Sequence, residues 1–193
     1  SVNEAVDRLM TDVIAGLRAI RPDILIEFRQ AYVGPLMRKH GTMFRAADCP
    51  NMAVVNRVRT LDLRLLAGNT AVHSDPYMWH PDDPVEAAAQ QLLNVIFAVP
   101  QLSVRLGTLP PDHLEMVAFW TRYWKENRAT LLDGDLHPAR PTANYPFVTA
   151  VGPDKTIVAL YEVNSAPVAD GTGRVVDVIN ATADAEVVLR FRS

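Results

Sequence analysis

An arginine and an aspartate three residues apart follow an apolar segment in the stretch "FRAADCPN", residues 44–51. A carboxyl group can exchange a proton with a bound substrate, and a guanidinium can bind oxygen atoms or hold a carboxylate in place. Asp48 is therefore a candidate general acid/base, and Arg45 a candidate for binding a substrate or orienting Asp48. The spacing by itself is more typical of a plain ion pair, or of a helix N-cap ahead of Pro50.

Two further sets of residues have the right chemical types but incomplete patterns. His73 and Asp75 are the types found in charge relays and metal sites, yet no third ligand lies at a helpful spacing, so capping or loop bracing is the favoured interpretation. Cys49 is the only cysteine, which excludes an intrachain disulfide and cysteine-rich zinc sites. No histidine pairs with it in the sequence, so it is predicted to pack rather than to act as a nucleophile.

The composition is that of a globular protein. Of the 193 residues 49% are hydrophobic and 21% charged, enough apolar material for a sizeable core. A net charge of -3 gives no basic field, which argues against nucleic acid as a partner. No run approaches the roughly 20 apolar residues of a membrane span, and the first residues lack the pattern of a signal peptide. With a single cysteine, these features predict a cytoplasmic protein without a membrane partner.

Helical and extended patterns alternate through the first two thirds of the chain. Apolar residues spaced three and four apart predict four helices: over 2–20, over 52–66, in "DDPVEAAAQQLLNVIFAV" and in "PPDHLEMVAFWTRYWKENRATLL". The third of these is predicted to begin with Asp83 as its cap and Pro84 in the first helical position. In the last helix Trp120, Tyr123 and Trp124 are predicted to be core residues. Short apolar runs predict strands over 24–28, 42–47 and 70–74, and a weaker fourth over 102–106. Such alternation predicts an α/β fold with a parallel sheet.

The pattern changes between residues 133 and 145. Short β-type runs then follow over 147–151, 156–162, 174–179 and 186–191, which predicts an antiparallel module. We expect one domain over 1–135 and a second, possibly incomplete, over 136–193. A complete (β/α)8 barrel needs about 250 residues, so the first region suffices for half a barrel or for a small doubly wound sheet.

Four blocks, "DILIEFRQAYVGP", "GTMFRAADCPN", "NRVRTLDLRLLAGNTAVHSD" and "FWTRYWKENRATLLDG", occur in this order. Together they resemble the C-terminal half of the α-galactosidases (melibiases) of glycoside hydrolase family 36, over roughly residues 1–160. The resemblance implies strands five to eight of a TIM-type barrel, followed by part of an antiparallel β-sandwich domain.

The resemblance also implies a chemistry. Such enzymes hydrolyse terminal α-linked galactose with retention and use neither cofactor nor metal, and Asp48 matches their acid/base at the end of strand six. The family's nucleophile is an aspartate of a Lys-x-Asp motif on strand four. This chain contains no such motif, so we expect an upstream segment or another chain to bring the nucleophile.

Positions at the ends of the matched strands are implied to bind the α-galactoside. Relatives often place a cysteine followed by glycines after strand five, and that pattern is missing here. The implied substrate-binding residues are Arg45, Arg29, Gln30, Gly34, His73, Asp75 and Trp79, the last as an apolar platform for the sugar. For strand five the alternative is a buried salt bridge between Glu27 and Arg29, which lie on the same side.

Other functions remain open at this stage. The same architecture serves α-N-acetylgalactosaminidases and raffinose-type galactosyltransferases, and half a barrel can also be a non-catalytic carbohydrate-binding or assembly fragment. Because half a barrel leaves unpaired strand edges, we expect a homo-oligomer or pairing with the missing N-terminal half.

Overall fold

The computed structural model describes residues 1–29, 33–46, 48–68, 70–163, 165–168 and 175–191. The helices are α1 (Val2–Ile20), α2 (Pro35–Arg38), α3 (Ala53–Ala67), α4 (Val85–Leu93) and α5 (Pro111–Arg128). The strands are β1 (Glu27–Arg29), β2 (Met43–Ala46), β3 (Ala71–Ser74), β4 (Asp135–Pro138), β5 (Phe147–Val151), β6 (Lys155–Leu160), β7 (Ser165–Val168), β8 (Val175–Asn180) and β9 (Val188–Phe191). The predicted α/β class is confirmed.

A three-stranded parallel sheet in the order β1-β2-β3 forms the first layer. Side chains alternate between the two faces of a strand, so Phe28, Phe44 and Val72, which are in register, share one face. This face packs with Leu63 and Ala67 of α3 in a small apolar core. Helices usually cover both faces of a parallel sheet. Here α3 packs on this face, and the opposite face carries charged side chains.

The predicted fourth strand over 102–106 is wrong. Leu102 forms only an isolated parallel bridge with Tyr77, and residues 106–108 form a turn of 3-10 helix. Just before this segment the backbone contacts β3, since Val99 N–H donates to the Val72 carbonyl at 2.8 Å. Gly107 and the prolines that follow interrupt any further extended pairing. In the part of the chain that is described, the parallel sheet stays open and does not close into a barrel.

The second sheet has the order β4-β5-β6-β8. Its first three strands are antiparallel, as predicted for this region, but β8 pairs with β6 in parallel, which corrects the prediction of an all-antiparallel module. Strands β7 and β9 pair with each other, also in parallel. Neither β4 nor β7 was predicted, and both contain a proline.

One apolar core joins residues from both predicted domains. It contains Tyr77, Ile96 and Leu131 from the first region and Val148 and Ile157 from the second sheet, all almost fully buried. The three predicted core aromatics of α5 pack against it partly buried. The Trp124 indole donates to the Ala98 carbonyl at 3.0 Å, and the Tyr123 hydroxyl to Asp177 at 3.0 Å. The domain boundary itself stays a prediction.

The ends of the helices show which local signals the sequence carries. Ser1 and Glu4 form a capping box at the start of α1, and the helix has the predicted limits. Gly68, with φ +60°, ends α3 in a conformation that disfavours a side chain. Asp83 is not the cap of α4: that helix begins at Val85 with Pro84 as N-cap, and Asp83 accepts from the His80 backbone N–H at 2.8 Å.

Helix α1 is attached to the rest of the chain by polar contacts. Asp7 accepts from Lys39 at 2.8 Å and contacts His40 Nε2 at 2.8 Å. Of its apolar residues only Ile14 is buried, while much of its apolar stripe is exposed at Val2, Leu9, Val13 and Ile20. Among the described residues there is no helix with the length and apolarity that crossing a membrane requires.

Candidate functional site at the carboxyl edge of the parallel sheet

The face of the parallel sheet opposite α3 is polar. Arg29, Arg45 and His73 are register partners on three adjacent strands, so their side chains form one row near the carboxyl ends of the strands. Together with three acidic neighbours they make up what we call the charged cluster: Glu27, Arg29, Arg45, Asp48, His73 and Asp75. Loops that follow parallel strands commonly bind substrates at this edge, because they vary while the packed face stays constant.

Arg45 is the centre of the charged cluster. Its Nη2 donates to Asp48 Oδ1 at 2.9 Å and also to Asp75 Oδ1. Two acceptors on one nitrogen lie within roughly 6 Å of each other, so the loops after β2 and β3 bring two carboxylates close together. Asp75 is buried, whereas the Asp48 side chain is 58% exposed. Arg45 therefore connects a buried anchor to a carboxylate that a ligand can reach.

Asp48 has a second cationic neighbour. Arg29 Nη2, at the end of β1, lies 3.5 Å from Asp48 Oδ1. Arg29 is about half exposed, so this pair alone adds little to stability. Its significance is geometric, because an exposed carboxylate between two guanidinium groups offers hydrogen-bond donors and an acceptor to a polyhydroxylated ligand at one place.

Glu27 and His73 form the other half of the charged cluster. His73 Nε2 lies 3.0 Å from Glu27 Oε2, and His73 Nδ1 lies 2.7 Å from the Ser74 carbonyl oxygen. The His73 side chain is only 3% exposed, while Glu27 is 36% exposed. The alternative salt bridge between Glu27 and Arg29 does not form, because each of them pairs with another partner.

The remaining predicted positions lie apart from the charged cluster or outside the description. Gln30 falls outside the described residues. Gly34 is the N-cap of the short helix α2 in extended conformation, with open space where a Cβ would lie, so nothing in its surroundings requires glycine. Trp79 is 7% exposed, and its indole donates to His113 Nδ1 at 3.0 Å. What remains exposed of Trp79 lines a cavity of about 360 Å³ with Met78 and His80, residues outside the charged cluster.

Sequence reasoning brought together Arg45, Asp48, Arg29, His73 and Asp75, and the structure places all five in the charged cluster. It missed Glu27 as a member. The available signal was the spacing of two residues: Glu27 and Arg29 are two positions apart on β1, so both side chains lie on one face of the sheet. The same face carries Arg45 of β2 and His73 of β3. In the described part of the chain, no three histidine, cysteine, aspartate or glutamate side chains converge to hold a metal ion.

Comparison of the chain with protein-family models, with curated proteins and with solved structures finds no match.

Proposed function

We propose that the charged cluster is the galactoside-binding and proton-transferring part of a retaining α-galactosidase, with Asp48 as general acid/base. The single observation that carries the proposal is the position of Asp48, an exposed carboxyl group just beyond β2 and next to donors from two neighbouring strand ends. The resemblance to glycoside hydrolase family 36 supplies the substrate class. The half-barrel and β-sandwich architecture belongs to the same proposal.

Each residue has a role in this mechanism. Asp48 protonates the glycosidic oxygen as the bond to the leaving group breaks, and then removes a proton from the water that attacks the glycosyl-enzyme intermediate. Arg45, fixed by buried Asp75, sets the direction of the Asp48 carboxyl group. Arg29 and Arg45 donate hydrogen bonds to sugar hydroxyls. The carboxylate nucleophile comes from polypeptide outside these 193 residues.

A calorimetric titration of the chain with galactose tests the binding half of the proposal. We expect saturable binding of galactose. Arg45→Met should weaken this binding about tenfold or more, because losing one charge-assisted hydrogen bond to a sugar oxygen costs about 1.5–3 kcal/mol. The matched control is Arg59→Met, an exposed arginine of α3 outside the charged cluster. Absence of binding at millimolar galactose would remove the proposal. Competition with N-acetylgalactosamine distinguishes the α-N-acetylgalactosaminidase alternative.

The catalytic half is tested with the nucleophile-bearing polypeptide present. Asp48→Asn should abolish hydrolysis of galactosides with poor leaving groups while sparing galactose binding, because the amide cannot transfer the proton. Asp82→Asn, at a carboxylate that is 90% exposed and whose ion-pair partner among the described residues is His80, is the control. Unchanged turnover in Asp48→Asn would exclude Asp48 from the mechanism.

A non-catalytic carbohydrate-binding or assembly function is the second candidate. It is favoured by the ion pairs of Asp48 with Arg29 and Arg45, which suit sugar recognition without proton transfer. Galactose binding that persists without turnover, even with a Lys-x-Asp polypeptide present, would support it. Under either function we propose self-association or pairing with an N-terminal half, because β1 pairs only with β2 among the described strands and α1 exposes apolar residues.

A further inference from the structure

Both ring nitrogens of His73 contact an oxygen atom that can accept a hydrogen bond. The Ser74 carbonyl oxygen can only accept, so His73 Nδ1, at 2.7 Å, must carry a proton and donate it. An ionised carboxylate can also only accept, so the contact of Nε2 with Glu27 Oε2 at 3.0 Å requires a proton between those two atoms. A neutral imidazole has one N–H, which cannot serve both contacts. Both contacts can be hydrogen bonds only if the Glu27–His73 pair holds one proton more than a neutral histidine beside a carboxylate.

The proton belongs on the imidazole. A second N–H at Nε2 lets the ring donate to both of its oxygen partners, and Glu27 is partly exposed to water, which solvates its charge. The surrounding charges also balance in this state. Arg29 and Arg45 are the register partners of His73, and Asp48 and Asp75 are their acidic neighbours. With His73 protonated, the charged cluster has three cations and three anions.

We propose that Glu27 and His73 share one proton as an imidazolium–carboxylate pair, and that His73 thereby acts as a positioning residue for Glu27. His73 is itself almost fully buried and cannot reach a ligand. It holds one oxygen of Glu27, whose side chain stays partly exposed. Glu27 becomes a fixed acceptor on β1, across the sheet from the strand that carries His73, so the pair also links β1 to β3 over β2.

The ring nitrogens of His73 give a direct readout. Long-range proton–nitrogen correlation spectra of the 15N-labelled 193-residue chain at pH 7 should show both nitrogens protonated. In Glu27→Gln the side-chain amide no longer supplies the negative charge, and we expect a neutral ring with its proton on Nδ1. Glu86→Gln, in the first turn of α4, is the matched control and should leave the His73 signals unchanged.

A neutral His73 ring in the wild-type chain at pH 7 would overturn the inference, and this measurement needs no variant. A doubly protonated ring that persists in Glu27→Gln would overturn it as well, since the proton would then not depend on Glu27. The inference deepens the proposed function but does not share its test. A doubly protonated His73 in a chain that binds no galactose leaves this inference standing and removes the proposed function. Galactose binding by a chain whose His73 ring is neutral supports the proposed function and overturns this inference.

Discussion

The guanidinium carbon of Arg57 lies 4.3 Å from the centre of the Tyr161 ring, so a cation of α3 is stacked on a side chain just beyond β6. Arg57 is almost completely buried, and all three of its nitrogens are bonded. They donate to the Asn144 carbonyl at 3.0 Å, to Asn94 Oδ1 at 2.7 Å and to Glu162. One arginine thus connects the helix that covers the parallel sheet to the second sheet.

Replacing this arginine should destabilise the whole chain. Arg57→Met keeps the apolar stem but leaves the buried Asn94 Oδ1 without its donor and removes the contacts with Asn144 and Glu162, at a cost of about 1–3 kcal/mol. Urea denaturation followed by circular dichroism measures this change in the free energy of unfolding. Arg59→Met, on an exposed position of the same helix, should change it by less than about 0.5 kcal/mol. A similar effect of the two substitutions would contradict the importance of the buried contacts.

The attachment of α1 should weaken in acid. The hydrogen bond from Lys39, and next that from His40, lower the pKa of Asp7 below its ordinary value. A lowered pKa in the folded state means that this contact stabilises the fold above the ordinary carboxyl pKa and is lost as pH falls through the lowered value. Hydrogen exchange of α1 amides, relative to those of α3, should therefore accelerate in that acidic range.

The same contact can be removed at neutral pH. Asp7→Ala should increase exchange in α1 at pH 7 and abolish its additional acid dependence, whereas Asp12→Ala, at an exposed position of the same helix, should not. Equal protection of α1 in wild type and Asp7→Ala would show that other contacts hold the helix.

Alkaline conditions should destabilise the region around Tyr145. Burial, together with a hydrogen bond to Asp62 at 2.5 Å, raises the pKa of Tyr145 from its ordinary value near 10 to about 12. A raised pKa in the folded state gives stability that is fully present below pH 10 and is lost as pH rises toward about 12. The free energy of unfolding from urea titrations should fall across this interval.

Tyr145→Phe isolates that contribution. It should cost about 1 kcal/mol at pH 7, through the lost hydrogen bond, and reduce the alkaline decline. A residual decline is expected, because burial also raises the pKa of Tyr77, Tyr123 and Tyr161. The same alkaline decline in both proteins would exclude Tyr145 as its source.

The exposed stripe of α1 should drive association. Val2, Leu9, Val13 and Ile20 lie on one side of the helix, and a continuous apolar surface of this kind is rarely left in water. Sedimentation velocity should show mass increasing with concentration, and Val13→Glu should reduce it. Thr11→Glu, also exposed but off the stripe, is the control. A concentration-independent monomer in the wild type would contradict the expected self-association.

The sequence predicted well those elements whose local signals are complete. Helix α1 combines strict apolar spacing with Ser1 and Glu4 at its start, and the structure gives it the predicted limits. The segment 102–106 alternates like a strand, but it forms only one bridge, between Leu102 and Tyr77, and residues 106–108 continue as a turn of 3-10 helix. Strand β4 escaped prediction because "DLHP" lacks β-branched residues and its pairing depends on β5.

The candidate site was predictable in part for a similar reason. The ends of β1, β2 and β3 could be located from the apolar runs, and parallel pairing brings such ends together. The sequence could not show which charged side chains pair with each other, because this depends on how far each side chain extends toward its neighbours on the adjacent strands. Thus Asp75 pairs with Arg45, and His73 turns to Glu27.

The apolar core that joins Tyr77 and Leu131 to Val148 and Ile157 has an evolutionary consequence. A segment of chain can be exchanged between proteins as a module only if it carries its own interior with it. Cutting this polypeptide near residue 135 would expose part of this shared core on both pieces. The polar face of the parallel sheet and the second sheet are therefore expected to be inherited together.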